Sequence, residues 1–146
     1  MDYFYEIAVD EEIYNTFLNV IKKLLNHEMV HVIQFAKLRA KVGRYGATSI
    51  LNKAKWKHNS ERGYLIDKME IQAFASEAVA EFRNIGYTDA AIINKLRNLN
   101  NNNIHPSPYE SDSFLIYFES FYEYGETRED KKVWRRFVKN MINFIL

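Results

Sequence analysis

Residues 25–31 read Leu-Asn-His-Glu-Met-Val-His and contain the pattern H-E-x-x-H, which is typical of a metal site. His27 and His31 are four residues apart, so on a helix they lie one turn apart and both imidazoles can reach one ion. Glu28 points beside that ion, where its carboxylate can act as general base on water activated by the metal. The alternative interpretation is a chance glutamate between two unrelated histidines.

A third ligand must come from elsewhere in the chain. The absence of cysteine restricts a zinc site to histidine and carboxylate ligands. The metzincin pattern requires glycine at position 34 and histidine at position 37, but the chain has Gln34 and Lys37. The remaining common arrangement uses a glutamate on a later helix, and Glu70 is well placed to supply it. Glu77, on nearly the same helical face, is an alternative ligand, a hydrogen-bond partner for one histidine, or part of a solvated acidic stripe.

The segment that carries the two histidines is predicted to be a long helix. Residues 12–40 contain neither proline nor glycine, and Gly43 and Gly46 are predicted to end the helix. One face collects residues at intervals of three and four, which predicts a buried stripe. The stripe consists of Ile13, Phe17, Val20, Leu24, His27, His31 and Phe35.

Further helices are predicted downstream. A basic stretch is helical in part, over residues 48–56, and an alanine-rich helix spans residues 67–84 before Gly86. Thr88 or Asp89 caps a short helix that ends near residue 99.

Two C-terminal helices complete the prediction. Ser111 or Asp112 begins a helix that Gly125 ends, and Thr127 with Asp130 forms a capping-box pattern at the start of the last helix. Their aromatic and aliphatic residues have helical spacing, which predicts packing against the histidine helix. These residues are Phe114, Tyr117, Phe118, Phe121, Tyr122, Tyr124, Val133, Phe137, Met141 and Phe144.

The predicted fold class is mainly α, or α+β at most, in one domain over residues 1–146. The only strand pattern is the alternation of Tyr3, Tyr5, Ile7 and Val9.

The stretch 64–75, Tyr-Leu-Ile-Asp-Lys-Met-Glu-Ile-Gln-Ala-Phe-Ala, resembles the glutamate helix of gluzincin metallopeptidases, where alanine follows the ligand glutamate by three residues. The resemblance covers residues 13–82, with specific motifs only at 27–31 and 70–73. It implies a zincin-like core of two packed helices, a Zn²⁺ ion held by His27, His31 and Glu70, and peptide hydrolysis. The chain departs from the family at Phe74, where several gluzincins carry aspartate, and in having almost no sheet before the histidine helix.

Hydrolysis also needs a hydrogen-bond donor for the oxyanion formed at the carbonyl. Tyr64, Tyr87, His58 and His105 are candidates. Tyr64 is preferred because it immediately precedes the glutamate helix.

Two functions are compatible with these motifs. The first is a zinc metallopeptidase acting on a protein or peptide, which the intact Glu28 favours. The second is a structural or interaction protein on the same scaffold, which the missing sheet favours. The chain also resembles small H-E-x-x-H proteins encoded by phages, some of them virion components. A protein partner or a second copy is expected to complete the sheet edge.

Charge and hydropathy bear on partners and location. Lysine plus arginine number 20 against 19 acidic residues, so nucleic acid is not expected as a partner. The first twelve residues carry five acidic residues and no basic one, unlike a signal peptide, and no segment is apolar enough for a membrane span. A soluble protein of the cytoplasm, or of a virion if phage-encoded, is expected.

Overall fold

A computed structural model describes residues 11–57, 60–99, 106 and 110–146. This part of the chain is mainly helical and contains no strand; the strand predicted over residues 3–9 lies outside it. The elements are α1 (Glu11–Lys57), α2 (Glu61–Leu65), α3 (Lys68–Asn84), α4 (Asp89–Asn98), α5 (Asp112–Tyr117), a π-helical turn (Phe118–Glu123) and α6 (Arg128–Ile145). None of these helices is both long and apolar enough to cross a membrane.

Side-chain caps fix where the shorter helices begin, because each satisfies a backbone N–H that has no partner within its helix. The oxygens of Asp67, Thr88 and Ser111 accept hydrogen bonds from the first turns of α3, α4 and α5. Thr127 forms a reciprocal capping box with Asp130 at the start of α6. The predicted starts of these four helices are therefore confirmed.

The predicted end of the first helix is confirmed at Gly43, whereas Gly46 lies within the helical segment that follows. Gly43 has φ 73° and ψ 171°, a left-handed conformation that favours glycine, and it interrupts the helical geometry. Helical geometry resumes after Gly43, through Gly46 and on to Lys57, so the helix predicted over residues 48–56 lies in this second segment. The label α1 therefore covers two helical segments that are joined at a kink.

The hydrophobic core is formed by α3 together with the C-terminal helices. Ile71, Val79 and Phe82 of α3 pack with residues of α5, the π-helical turn and α6. Tyr117 illustrates the packing: its ring stacks on Phe137 at a centroid distance of 4.3 Å, and its hydroxyl donates to the backbone oxygen of Leu65. The C-terminal aromatic residues are thus largely core residues, as predicted, although Tyr124 is exposed and the main contacts are with α3 and α6 rather than α1.

The first four positions of the predicted buried stripe are exposed. Ile13, Phe17, Val20 and Leu24 each expose 49–65% of their surface. Helix α1 contacts α3 through an adjacent face that carries Val30 and several polar side chains. The sequence prediction failed because apolar residues surround most of α1, so their spacing does not show which face is packed.

The capping box of α6 provides a test of stability against pH. Hydrogen bonds from Thr127, and then the ion pair with Arg62, hold the pKa of Asp130 below its usual value. A carboxyl whose pKa is lowered in the folded state stabilises the fold above its ordinary pKa, and that contribution is lost as the pH falls. We therefore expect Asp130→Asn to lower the free energy of unfolding at pH 7, and the difference from wild type to disappear at acidic pH.

Urea unfolding at several pH values measures this effect. Glu126→Gln, which removes an exposed carboxylate nearby, is the matched control. If the free energy of unfolding of Asp130→Asn stayed below that of wild type by the same amount down to the lowest pH, the charge of Asp130 would not be the cause of the difference.

Candidate metal centre

Helices α1 and α3 bring together three of the residues singled out in the sequence. His27 and His31 lie one turn apart on α1, and Glu70 lies in the first turn of α3. The side chain of Asp67 caps that turn by accepting a hydrogen bond of 2.8 Å from the backbone N–H of Met69. The cap fixes the start of α3, and with it the position of Glu70 beside α1.

The potential ligand atoms of these residues face one another. Nε2 of His27 and Nε2 of His31 are 3.1 Å apart, and each is 3.4 Å from Oε2 of Glu70. Tetrahedral zinc with bonds of ~2.0–2.1 Å keeps its ligand atoms about 3.3–3.4 Å apart. The spacing of the three atoms fits such an ion.

The other ring nitrogens have partners of their own. Nδ1 of His27 is 3.0 Å from Oε2 of Glu77, and Nδ1 of His31 is 2.9 Å from Oε1 of Gln34. Because both partners accept hydrogen bonds, each Nδ1 carries the proton when the ring is neutral. Both Nε2 atoms then direct lone pairs towards Glu70. The hydrogen bond predicted between Glu77 and one histidine is confirmed.

When both rings are neutral, the cluster of His27, His31 and Glu70 therefore contains three acceptors without a shared donor. Oε2 of Glu70 is buried and makes no hydrogen bond. A buried carboxylate oxygen in this situation is costly unless a cation compensates its charge. A divalent cation would satisfy all three atoms at once, and the donor set of two imidazoles and one carboxylate suits zinc.

The pKa values of His27 and Glu70 are both shifted by their contacts within the cluster. Interaction with Glu70, and then the hydrogen bond to Glu77, raise the pKa of His27 to about 9. Burial acts to raise the pKa of the Glu70 carboxyl, but the contact with His27 and the hydrogen bond from Tyr64 outweigh burial and the net pKa is lowered. The raised pKa favours a protonated His27 ring, whose Nε2–H is then a donor within the cluster.

The two predicted catalytic residues lie beside the cluster. The Glu28 side chain is exposed to solvent, one residue beyond His27. The hydroxyl of Tyr64 hydrogen-bonds the carboxylate of Glu70, and burial, followed by this bond, raises the pKa of the phenol. The role of Tyr64 as oxyanion donor stays a prediction. Of the other candidates, Tyr87 hydrogen-bonds Glu110 instead, and His58 and His105 lie outside the described residues.

Two features of the site differ from the gluzincin pattern. Phe74, at the position where several gluzincins carry aspartate, packs its ring edge-on against His27 at 5.0 Å. The carboxylate that contacts His27 comes from Glu77, one turn further along α3. Gln34, for which the sequence predicted no role in the site, contacts His31. Because residues three apart are neighbours on a helix surface, the spacing of Gln34 and His31 in the sequence already indicated that their side chains can meet.

Comparison with protein-family models, curated proteins and solved structures gives no match.

The raised pKa of His27 provides a direct test of this geometry. We expect the His27 ring of the metal-free protein to titrate near pH 9, and Glu77→Gln to bring its pKa closer to the ordinary value of 6.5 because one of the two raising carboxylates is lost. A pKa raised in the folded state stabilises the fold below the ordinary pKa, and this contribution is lost as the pH rises through about 9.

NMR titration of the histidine ring protons after chelator treatment measures the pKa, and Glu129→Gln on the exposed face of α6 is the control. A midpoint for His27 that Glu77→Gln leaves unchanged would contradict the contact.

Proposed function

We propose that the chain is a zinc-dependent metallopeptidase in which His27, His31 and Glu70 hold the ion and Glu28 acts as general base. The observation that carries the proposal is the convergence of Nε2 of His27, Nε2 of His31 and the buried Oε2 of Glu70, which lie 3.1–3.4 Å from one another. A zinc ion bound there would supply the Lewis acidity that activates water for attack on a carbonyl at neutral pH. In this proposal α1 and α3 are the two packed helices of a zincin-like core.

The surrounding side chains have the properties that hydrolysis requires. Glu28 is exposed and is not engaged as a ligand, so its carboxylate is available to take a proton from the attacking water. The hydroxyl of Tyr64 donates its one proton to the Glu70 carboxylate, so to serve as oxyanion donor it exchanges that partner for the substrate oxygen. We infer a protein or peptide substrate, and neither nucleic acid nor membrane as a partner.

Metal binding is the first consequence to test. We expect the purified protein to hold one zinc ion, and His31→Ala and Glu70→Gln to weaken or abolish binding because each removes a ligand. Elemental mass spectrometry and a chelator competition titration measure the content and the affinity. Glu61→Gln, an exposed carboxylate on α2, is the control for Glu70→Gln. Retention of full zinc affinity by Glu70→Gln would refute the third-ligand assignment and direct the same test to Glu77.

Catalysis is tested separately through Glu28. Replacement by glutamine keeps the size of the side chain but removes the proton acceptor, so Glu28→Gln should retain zinc and fold yet lose hydrolysis by ~10²-fold or more. Cleavage of an unstructured protein, zinc content and melting temperature are compared among wild type, Glu28→Gln and the control Glu11→Gln. Loss of zinc from Glu28→Gln would mean that base and ligands are misassigned.

A specific observation favours a second candidate, an interaction protein such as a virion component on the same scaffold. Ten large apolar side chains between residues 13 and 33 of α1 each expose at least 36% of their surface. Such a concentration exceeds the scattered apolar residues of ordinary monomer surfaces and is typical of a protein contact. Wild type that holds zinc, cleaves nothing and self-associates through this surface would favour this candidate over the peptidase.

A further inference from the structure

Gln34 makes three hydrogen bonds that connect the metal cluster to the start of α3. Its Nε2 donates to the backbone oxygen of Met69 at 3.0 Å and to Oε1 of Gln72 at 2.9 Å. Its Oε1 faces Nδ1 of His31 at 2.9 Å. The side chain is thus held from both ends, between a histidine of α1 and the turn that contains Glu70.

These contacts determine which way the amide of Gln34 points. A backbone carbonyl can only accept hydrogen bonds, so the NH₂ end must face Met69 and the oxygen must face His31. An amide oxygen can only accept in turn, and the neutral His31 ring must therefore carry its proton on Nδ1. This leaves Nε2 of His31 with a free lone pair, the form in which imidazole binds a metal.

When the His27 ring is also neutral, the cluster itself favours the opposite tautomer. Nε2 of His31 then faces two acceptors, Nε2 of His27 at 3.1 Å and Oε2 of Glu70 at 3.4 Å. In the metal-free protein with both rings neutral, a proton on Nε2 of His31 would find partners in the cluster, whereas a proton on Nδ1 needs an acceptor outside it. Gln34 supplies that acceptor. The corresponding partner of His27 is the charged Glu77, so only His31 depends on a neutral amide.

We propose that Gln34 is a positioning residue that holds His31 in its Nδ1–H tautomer with Nε2 turned towards the cluster. The expected effect on zinc affinity rests on the proposed metal site. Side chains that hydrogen-bond the second nitrogen of a ligand imidazole orient the ring, and their removal typically changes metal affinity by ~10–100-fold. The tautomer itself is a property of the metal-free protein and does not depend on any bound ion.

Two substitutions separate this role from that of a simple bridge between helices. Gln34→Met has nearly the same length and removes all three hydrogen bonds. Gln34→Glu retains an acceptor for Nδ1 of His31 but has no N–H to donate to Met69 and Gln72. Lys37→Met, an exposed position one turn further along α1, controls for the introduced methionine.

The tautomer is read from ¹H–¹⁵N correlations of the metal-free protein at a pH at which the His27 and His31 rings are both neutral, and zinc affinity from chelator competition. We expect wild type, Lys37→Met and Gln34→Glu to show the Nδ1–H form of His31, and Gln34→Met to shift towards the Nε2–H form. Zinc affinity should fall by ~10–100-fold in Gln34→Met and by clearly less in Gln34→Glu.

Each possible result decides the question. Retention of the Nδ1–H form by Gln34→Met would overturn the proposal, and so would a loss of zinc affinity in Gln34→Glu as large as that in Gln34→Met, which is the result expected of a bridge between helices. If Gln34→Met does not fold, as judged by circular dichroism, Gln34→Glu alone decides through its tautomer and affinity. If wild type binds no zinc, the metallopeptidase proposal fails while the tautomer measurement still tests Gln34.

Discussion

The carboxylate of Glu77 lies on α3 with only 6% of its side chain exposed, between two side chains of α1. Nζ of Lys23 is 3.2 Å from one oxygen, and Nδ1 of His27 is 3.0 Å from the other. An isolated carboxylate at this depth would cost several kcal/mol, so its two partners must remain in place for α1 to pack on α3. The same contact orients the His27 ring, and the arrangement of the metal cluster therefore depends on a polar interaction between helices.

Helix α3 has two faces with different tasks. One face packs Ile71, Val79 and Phe82 into the core with the C-terminal helices and supplies hydrophobic stabilisation. The other presents Glu70, Glu77 and Glu81 to α1, where Lys23 contacts Glu81 at 2.7 Å as well as Glu77. Since polar contacts between helices must match in position and charge, this second face determines how α1 is placed along α3.

The hydrogen bonds behind the two histidines differ in charge, and this difference shapes the site. Glu70, and then the Glu77 carboxylate behind His27, favour the charged imidazole and raise its pKa, while a neutral amide behind His31 selects a tautomer without adding charge. Of the two side chains that hydrogen-bond the Nδ1 atoms of the histidines, only Glu77 is an anion, whereas Gln34 is neutral. The apolar surface of α1 adjoins this arrangement and contributes little to the core.

The sequence by itself determined the local features of the protein. Capping side chains such as Thr127 and Asp130 satisfy backbone groups within three residues, so the starts of α3 to α6 were predicted correctly. The spacing of His27 and His31 likewise follows from the pitch of a helix, and Glu77 was named as a possible partner from its position on the same helical face.

Only the tertiary structure decided which distant residues meet. It turned a face of α1 with polar side chains towards α3 and left the first four positions of the predicted stripe exposed, because Lys23, His27 and Gln34 find compensating partners on α3. It also brought Gln34 to Met69, a contact over 35 positions that depends on the register of two helices. Periodicity identifies the faces of a helix, but the partner of each face is set by the complementarity of charge and shape that only folding brings together.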